Sequence, residues 1–271
     1  MATILPTKSI YFNDCVLLPK LGKVKSRKDV PNEIHKVIVS PMLAVVGETF
    51  VVEAAKLGLS ITLPRFIETI KKIKFATLFN QNKINNNQLC FISIGLNENR
   101  NDLEQISKNS SFDAKDWLID IANGYIPHLE SSVEELRNTL RENPNNLMVG
   151  NVITSEGSDN IIKNISKYCY NLFIRVGQGN GSACSTSDNA GVNRGQITEL
   201  MECCGSVIYR KRKESLLMES CFLVSDGGIK NGGYALKAFG AGASYVLMGG
   251  YFSKALEAES NLTGDGTYFG C

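Results

Sequence analysis

The chain has 271 residues, 43% of them hydrophobic and 21% charged, with a formal net charge of +2. That is the composition of an ordinary globular protein, long enough to bury roughly three quarters of its unfolded surface. The balanced charge excludes a strong electrostatic case for nucleic-acid or membrane partners, and no run of about 18 apolar residues is present to span a bilayer.

Residues 1–35 read as an N-terminal extension. Their opening, MATILPTKSIYFND, lacks the charged-then-apolar layout of a signal peptide, so a cytoplasmic protein is expected. Short apolar runs then recur, each closed by Gly, Pro, Asn or Asp. KVIVSPM (36–42) and LSITLP (59–64) are separated by TFVVEAAKLG, whose spacing predicts a helix that stops at Gly58. The polar run FNQNKINNNQ (79–88) reads as a surface connection into CFISIG (90–95). WLIDIANG (117–124) precedes HLESSVEELRNTLRENP, in which Leu129, Val133, Leu136 and Leu140 fall near helical spacing before Pro144 ends the pattern. LMVGNV (147–152) and NLFIRVGQG (171–179) follow. The basic YRKRK (209–213) reads as a solvated surface insertion ahead of CFLVSDGG (221–228). The short helical NGGYALKAFGAG then leads into YVLMGG (245–250).

Each of these eight runs is continuously apolar and rich in Ile, Val and Leu. Continuous runs mean burial on both faces, the mark of a parallel sheet. Strands alternating with helical segments over this length predict an α/β fold, a (β/α)8 TIM barrel, with residues 1–271 forming one domain and no linker dividing it. In such a barrel function sits at the C-terminal ends of the strands. The polar and glycine punctuation falls there: SPM, DIANGY, GNV, VGQGNGSAC, SDGG and MGG. The site is expected to be one basin fed by many loops.

The chemistry open to that basin is narrowed by what is scarce. There are two histidines, His35 and His128, and neither lies near a cysteine or carboxylate in ligand-like spacing. A histidine-based metal site and Ser-His-Asp hydrolysis are therefore disfavoured. The eight cysteines include no C-x-x-C, and the adjacent Cys203 and Cys204 cannot chelate like a zinc knuckle. Most read as reduced core residues. Glycine pairs in SDGG (225–228) and MGG (248–250) either make tight turns or let backbone N–H groups approach an anion. The loop after the sixth strand is different. Gly177, Gly179 and Gly181 free the backbone to curl, to turn carbonyls toward a monovalent cation or to present a side chain. Cys184 follows, with Ser185, Thr186 and Ser187 beside it. A thiol is nucleophilic without a histidine if substrate or surroundings supply a base, and a threonine hydroxyl can relay a proton.

VGQGNGSACST resembles the cysteine loop of the IMP dehydrogenase/GMP reductase family, roughly V-G-x-G-x-G-S-x-C-x-T. YFNDCVLLPK, KSRKDV, VSPM, GNVIT, GVNRGQ, LVSDGGI, AFGAGASYVLMGG and YFG fall in family order, so the resemblance covers about residues 9 to 271. DIANGY (120–125), KSR and MECC are similar to the GMP reductase branch. The resemblance implies NADPH-dependent reductive deamination of GMP to IMP and ammonia. Cys184 would attack C2 of the purine and Thr186 would help to move protons. GMP would bind with its phosphate on Asp226, Gly227, Gly228, Gly249 and Gly250, with Met42, Ser182, Gly270 and Cys271 as further contacts. The dinucleotide would touch Ser26, Arg27, Arg65, Asp120, Ile121, Ala122, Gln178 and Gly179. A potassium ion would rest on carbonyls of Gly179, Gly181 and Cys184. A homotetramer is implied, with no nucleic-acid or membrane partner. The alternatives are oxidation of IMP to XMP with NAD, and a non-catalytic purine-nucleotide-binding subunit.

The sequence also departs from the family pattern. Family members continue for several dozen residues after Y-x-G, with a mobile flap, a phosphate-contacting serine, the reductases' glutamate partner of the threonine, and the last helix. This sequence ends at Cys271. The expectation is a barrel lacking that flap and helix, with its eighth and first strands thinly covered. Leu43 stands for the usual aspartate, Ser187 for the usual basic residue and Arg65 for the reductases' lysine.

Overall fold

The computed structural model describes residues 9–20, 24–112, 114–181, 191–213 and 220–264. Eight parallel strands close into a barrel in sequence order. They are β1 (Val37–Val39), β2 (Ser60–Thr62), β3 (Cys90–Ile94), β4 (Asp116–Ile119), β5 (Asn146–Val152), β6 (Asn171–Val176), β7 (Cys221–Asp226) and β8 (Tyr245–Met248). Closure is made by β1 against β8, with Val37, Ile38 and Val39 paired to Val246, Leu247 and Met248. The helices are α1 (Glu48–Lys56), α2 (Thr69–Asn82), α3 (Arg100–Ser107), α4 (Leu129–Leu140), α5 (Ser155–Ile165), α6 (Gln196–Lys213), α7 (Gly232–Gly240) and α8 (Glu259–Thr263).

The continuous apolar runs are explained by two cores. Alternate strand residues point to opposite faces. Ile38, Phe91, Leu118, Met148, Phe173, Val224 and Leu247 form one buried cluster inside the barrel. Val39, Ile92, Trp117, Ile119, Leu147, Val149, Leu172 and Ile174 join the larger cluster that meets the helices. Aromatic rings thicken the inner plug: Phe173 lies 5.2 Å from Phe91, 5.0 Å from Phe222 and 5.1 Å from Tyr245. One step of the same alternation further along the strands, the residues become Ser40, Asp120, Arg175, Asp226 and Gly249, all lining a cavity above the plug. A single period-two pattern thus builds both the floor and the site.

Helix ends follow local chemistry. After α1, Gly58 takes φ +86°, a conformation that suits glycine. The end of α4 is set by Arg141 in the left-handed region at φ +61°, three residues before Pro144. Asn99, Thr154 and Asn231 cap α3, α5 and α7 with side-chain oxygens.

Two sequence expectations are corrected. The polar run 79–88 is a surface connection only in its second half: α2 continues to Asn82, and Phe79 is buried, while Lys83 to Asn87 turn toward β3. Gln88 is also buried, donating to the carbonyls of Ala55 and Leu59 and accepting from the amides of Ile84 and Asn85, so its side chain does the work of backbone pairing. YRKRK is likewise no separate insertion. Backbone helix α6 runs through it to Lys213, and Arg210 pairs with Asp159 of α5.

The N-terminal segment packs on the first turns of α6 and α7. Ile10 N donates to Thr198 Oγ1 at 2.7 Å, and Phe12 stacks on Tyr234 with ring centroids 5.1 Å apart. After β8 the chain is tied to the loop following β1, because Glu259 and Ser260 amides donate to the carbonyls of Val45 and Ala44. Among the described residues no helix is long and apolar enough to cross a membrane.

Candidate active site

A cavity of about 520 Å³ opens at the C-terminal ends of the strands. Thirteen of the residues expected from the sequence line it: Met42, Arg65, Asp120, Ile121, Ala122, Gln178, Gly179, Gly181, Asp226, Gly227, Gly228, Gly249 and Gly250. Ser26 is exposed and does not line it; the side chain of Arg27 lies outside the described residues. Ser182, Cys184, Thr186, Ser187, Gly270 and Cys271 also lie outside them. The segment that leads to Cys184, residues 177–181, forms part of the cavity wall.

The centre of the site is a buried guanidinium. Arg175 on β6 is 8% exposed. Its Nη1 donates to Asp120 Oδ1 at 2.6 Å, and its Nε and Nη2 donate to Asp226 Oδ2 at 3.0 and 2.8 Å. Burial by itself would lower the pKa of Arg175; the carboxylates of Asp226 and Asp120 more than offset it and hold the side chain charged. Asn151, also 8% exposed, donates through Nδ2 to both Asp226 Oδ2 and the Gly177 carbonyl, each at 2.7 Å. Its Oδ1 is buried and has no hydrogen-bond partner among the described residues. Arg65 Nη1 donates to the Asp120 carbonyl at 2.6 Å, and Gln178 Nε2 to the Ala122 carbonyl at 2.9 Å. The ends of β4, β5, β6 and β7 are therefore one hydrogen-bonded unit.

Asp226 is sharpened by this geometry. Its carboxylate is held by Arg175 and Asn151, and a carboxylate repels phosphate. The anion-ready groups are the backbone amides of the turn after it. Gly227 and Gly228 take φ +95° and +73°, where a side chain would be strained. A Cβ at Gly227 would lie 3.1 Å from Gly181 N, so the turn packs closely on the segment after β6. Gly249 and Gly250 stand at the end of β8, and Lys230 and Lys254 line the same cavity.

Sequence reasoning passed over Arg175, Asn151, Lys230, Lys254 and Phe66. A signal for the first was present: a lone arginine inside an apolar strand must meet carboxylates. Tyr125 of the DIANGY stretch has a structural role. Its hydroxyl accepts from the amides of Ile153 and Thr154 at 2.9 and 3.1 Å, which joins the loop after β4 to the start of α5. Three other cysteines are inert packing: burial pushes the Cys169 and Cys203 thiols up to about 12 and Cys90 higher still. Among the described residues no group of three or more His, Cys, Asp or Glu could hold a metal ion.

Fold and cavity together define a (β/α)8 barrel with a nucleotide-sized cup at the strand ends. A family model described as IMP dehydrogenase / GMP reductase domain matches residues 9–269. The chain is 32% identical to GMP reductase 1 of Mus musculus over a stretch covering 64% of this chain and 46% of that protein. It is 29% identical to GMP reductase of Onchocerca volvulus and 27% identical to GMP reductase 1 of Homo sapiens. Those matches cover 93% of this chain and 68% and 71% of the two proteins. The fold matches the crystal structure of inosine 5'-monophosphate dehydrogenase from Legionella pneumophila with a TM-score of 0.70 at 23% identity, over 91% of this chain and 70% of that one. The chain belongs to the IMP dehydrogenase / GMP reductase family.

Proposed function

We propose that the protein is a GMP reductase that converts GMP to IMP and ammonium with NADPH as reductant. The observation that carries this reading is the convergence on one cavity of two glycine turns, a buried Arg175–Asp226–Asn151 cluster, and the segment leading to Cys184. The family resemblance of the Cys184 loop supplies the nucleophile.

In this reading the amides of Gly227, Gly228, Gly249 and Gly250 receive the phosphate, with Lys230 and Lys254 adding positive charge. Asp226, fixed by Arg175, accepts hydrogen bonds from sugar hydroxyls. The Cys184 sulfur forms a bond to C2 of guanine. The bond from C2 to the exocyclic nitrogen breaks, and the nitrogen leaves as ammonium with protons that Thr186 helps to transfer. NADPH, when bound, supplies the hydride that C2 accepts. The carbon–sulfur bond then breaks, releasing IMP and restoring the thiolate, so two electrons and the protons balance. The residues present fit the dinucleotide: the orphaned, buried Asn151 Oδ1 offers an acceptor to a carboxamide, and Arg65 adds a cation to the same cavity wall. The family resemblance adds potassium, which would rest on the carbonyls of Gly179, Gly181 and Cys184, hard oxygen donors of the kind such a cation takes. The same resemblance supports a cytoplasmic homotetramer, which sedimentation would test.

Incubation with GMP and NADPH, following loss of the reduced nicotinamide absorbance, tests the reaction. Turnover that is abolished by Cys184→Ala is the expected result. Turnover with IMP and NAD alone would assign the oxidative direction instead. Tight GMP binding without turnover would make the chain a nucleotide-binding subunit.

A further inference from the structure

Glu199 is a buried acid that the reaction above does not use. It lies in the first turn of α6 and is fully buried. Its Oε2 accepts from Asn180 Nδ2 at 3.1 Å, and its Oε1 has no hydrogen-bond partner among the described residues. The charged groups around it are Arg194, just before the helix, Asp226 at the end of β7, and Glu202 on the next turn. Arg194 is already paired with Glu202. Burial pushes the Glu199 carboxyl up to about 9; Arg194 and Asn180 pull against that rise, and Asp226 and Glu202 add to it. At neutral pH the side chain is uncharged.

Asn180 stands between Glu199 and the cavity. Both hydrogens of its amide are used, one on Glu199 and one on Gln196 Oε1 at 2.8 Å. Gln196 in turn reaches back through Nε2 to the Val176 carbonyl at 2.6 Å and to Ser225 Oγ at 3.2 Å. On its other side the Asn180 backbone abuts the anion-ready turn. A Cβ at Gly228 would lie 3.2 Å from the Asn180 carbonyl oxygen, and one at Gly227 would lie 3.3 Å from its carbonyl carbon. The first turn of α6 thus supports the segment after β6 and the turn after β7 together.

We propose that Glu199 is a positioning residue: it holds Asn180 against the Gly227–Gly228 turn and so sets the spacing between the anion-binding amides and the segment that enters the cysteine loop. This deepens, and rests on, the nucleotide-binding reading above. Glutamine has the shape and the acceptor that Asn180 needs, whereas alanine leaves one hydrogen of the half-buried Asn180 amide without its acceptor.

The test is calorimetric binding of GMP to Glu199→Gln, Glu199→Ala, Asn180→Ala and the double alanine variant. The glutamine variant should bind like the parent. Each alanine variant should bind about tenfold more weakly, and the double variant no worse than either, because the two side chains act as one unit. Parent-like binding by folded Glu199→Ala or by Asn180→Ala would overturn the proposal, as would additive losses. If Glu199→Ala does not fold, Glu199→Met, which keeps the volume and lacks the acceptor, takes its place with the same expected and overturning results. If the parent itself binds no GMP, the functional reading fails, and hydrogen exchange at the Gly227 and Gly228 amides judges the support without any ligand. Faster exchange in both alanine variants and parent-like exchange in the glutamine variant is expected; unchanged exchange in the alanine variants would sink the proposal.

Discussion

Arg175 places two of its nitrogens, Nε and Nη2, on one oxygen of Asp226 and turns the third, Nη1, to Asp120. One buried cation therefore neutralises two strand ends. Removing it strands the buried Asp120 carboxylate and the half-buried Asp226 carboxylate without their shared cation. Arg175→Met is expected to cost about 3–5 kcal/mol, read as a lowered urea midpoint, because breaking a buried pair strands its partners. Arg175→Lys keeps the charge but lacks the planar fork, and should fall between the two.

Glu199 gives a pH dependence with a definite sign. Its ordinary value is 4.5 and its folded value about 9. Between those limits the folded chain keeps a proton that the unfolded chain releases, so stability falls as pH rises. The favourable contribution is complete below the ordinary value and gone once pH passes the folded one. Thermal melts from about pH 5 to about pH 9 should show a shallower decline for Glu199→Gln than for the parent, and a higher melting temperature at the alkaline end. Identical slopes would mean that Glu199 is ionised in the fold.

Phe66 is 64% exposed yet lines the cavity, with the Arg65 guanidinium carbon 4.1 Å from its ring centroid. A cation on one face of an aromatic ring is worth roughly 0.5–1 kcal/mol at an exposed site. In the proposed reaction Phe66→Ala should raise KM for NADPH about two- to fivefold while leaving kcat near its parent value. A loss confined to kcat would place the ring elsewhere in the cycle.

Gly227 adopts a backbone that L-residues avoid, beside Gly181 N. Gly227→Ala should cost about 1–2 kcal/mol in stability and weaken competition by inorganic phosphate against GMP. A variant that loses stability but not phosphate competition would separate the turn's strain from its ligand.

All eight strands were legible in the sequence, because burial on both faces leaves an uninterrupted apolar run. The helices were less so. Helices α1, α4 and α7 have compact apolar spacing, whereas α2 hides Phe79 in a row of asparagines and lysines that reads as loop. The basic end of α6 misled for the same reason: Arg210 looks like solvent-facing charge until Asp159 of α5 is beside it. The glycine turns of the site were legible from local backbone chemistry. Arg175 shows in the sequence only as a cation that must meet carboxylates, and Asn151 and Glu199 show nothing, since the partners that give all three their meaning lie 51, 75 and 19 residues away.

The aromatic plug around Phe173 has a consequence for how the cup is filled. Rings from β3, β6, β7 and β8 fill the barrel beneath the cavity, so ligands reach it from the strand ends. In the proposed reaction a mononucleotide and a dinucleotide share that approach. The ligand seated nearer the glycine turns enters first and leaves last, so steady-state kinetics should be ordered, with excess dinucleotide slowing departure of the product beneath it.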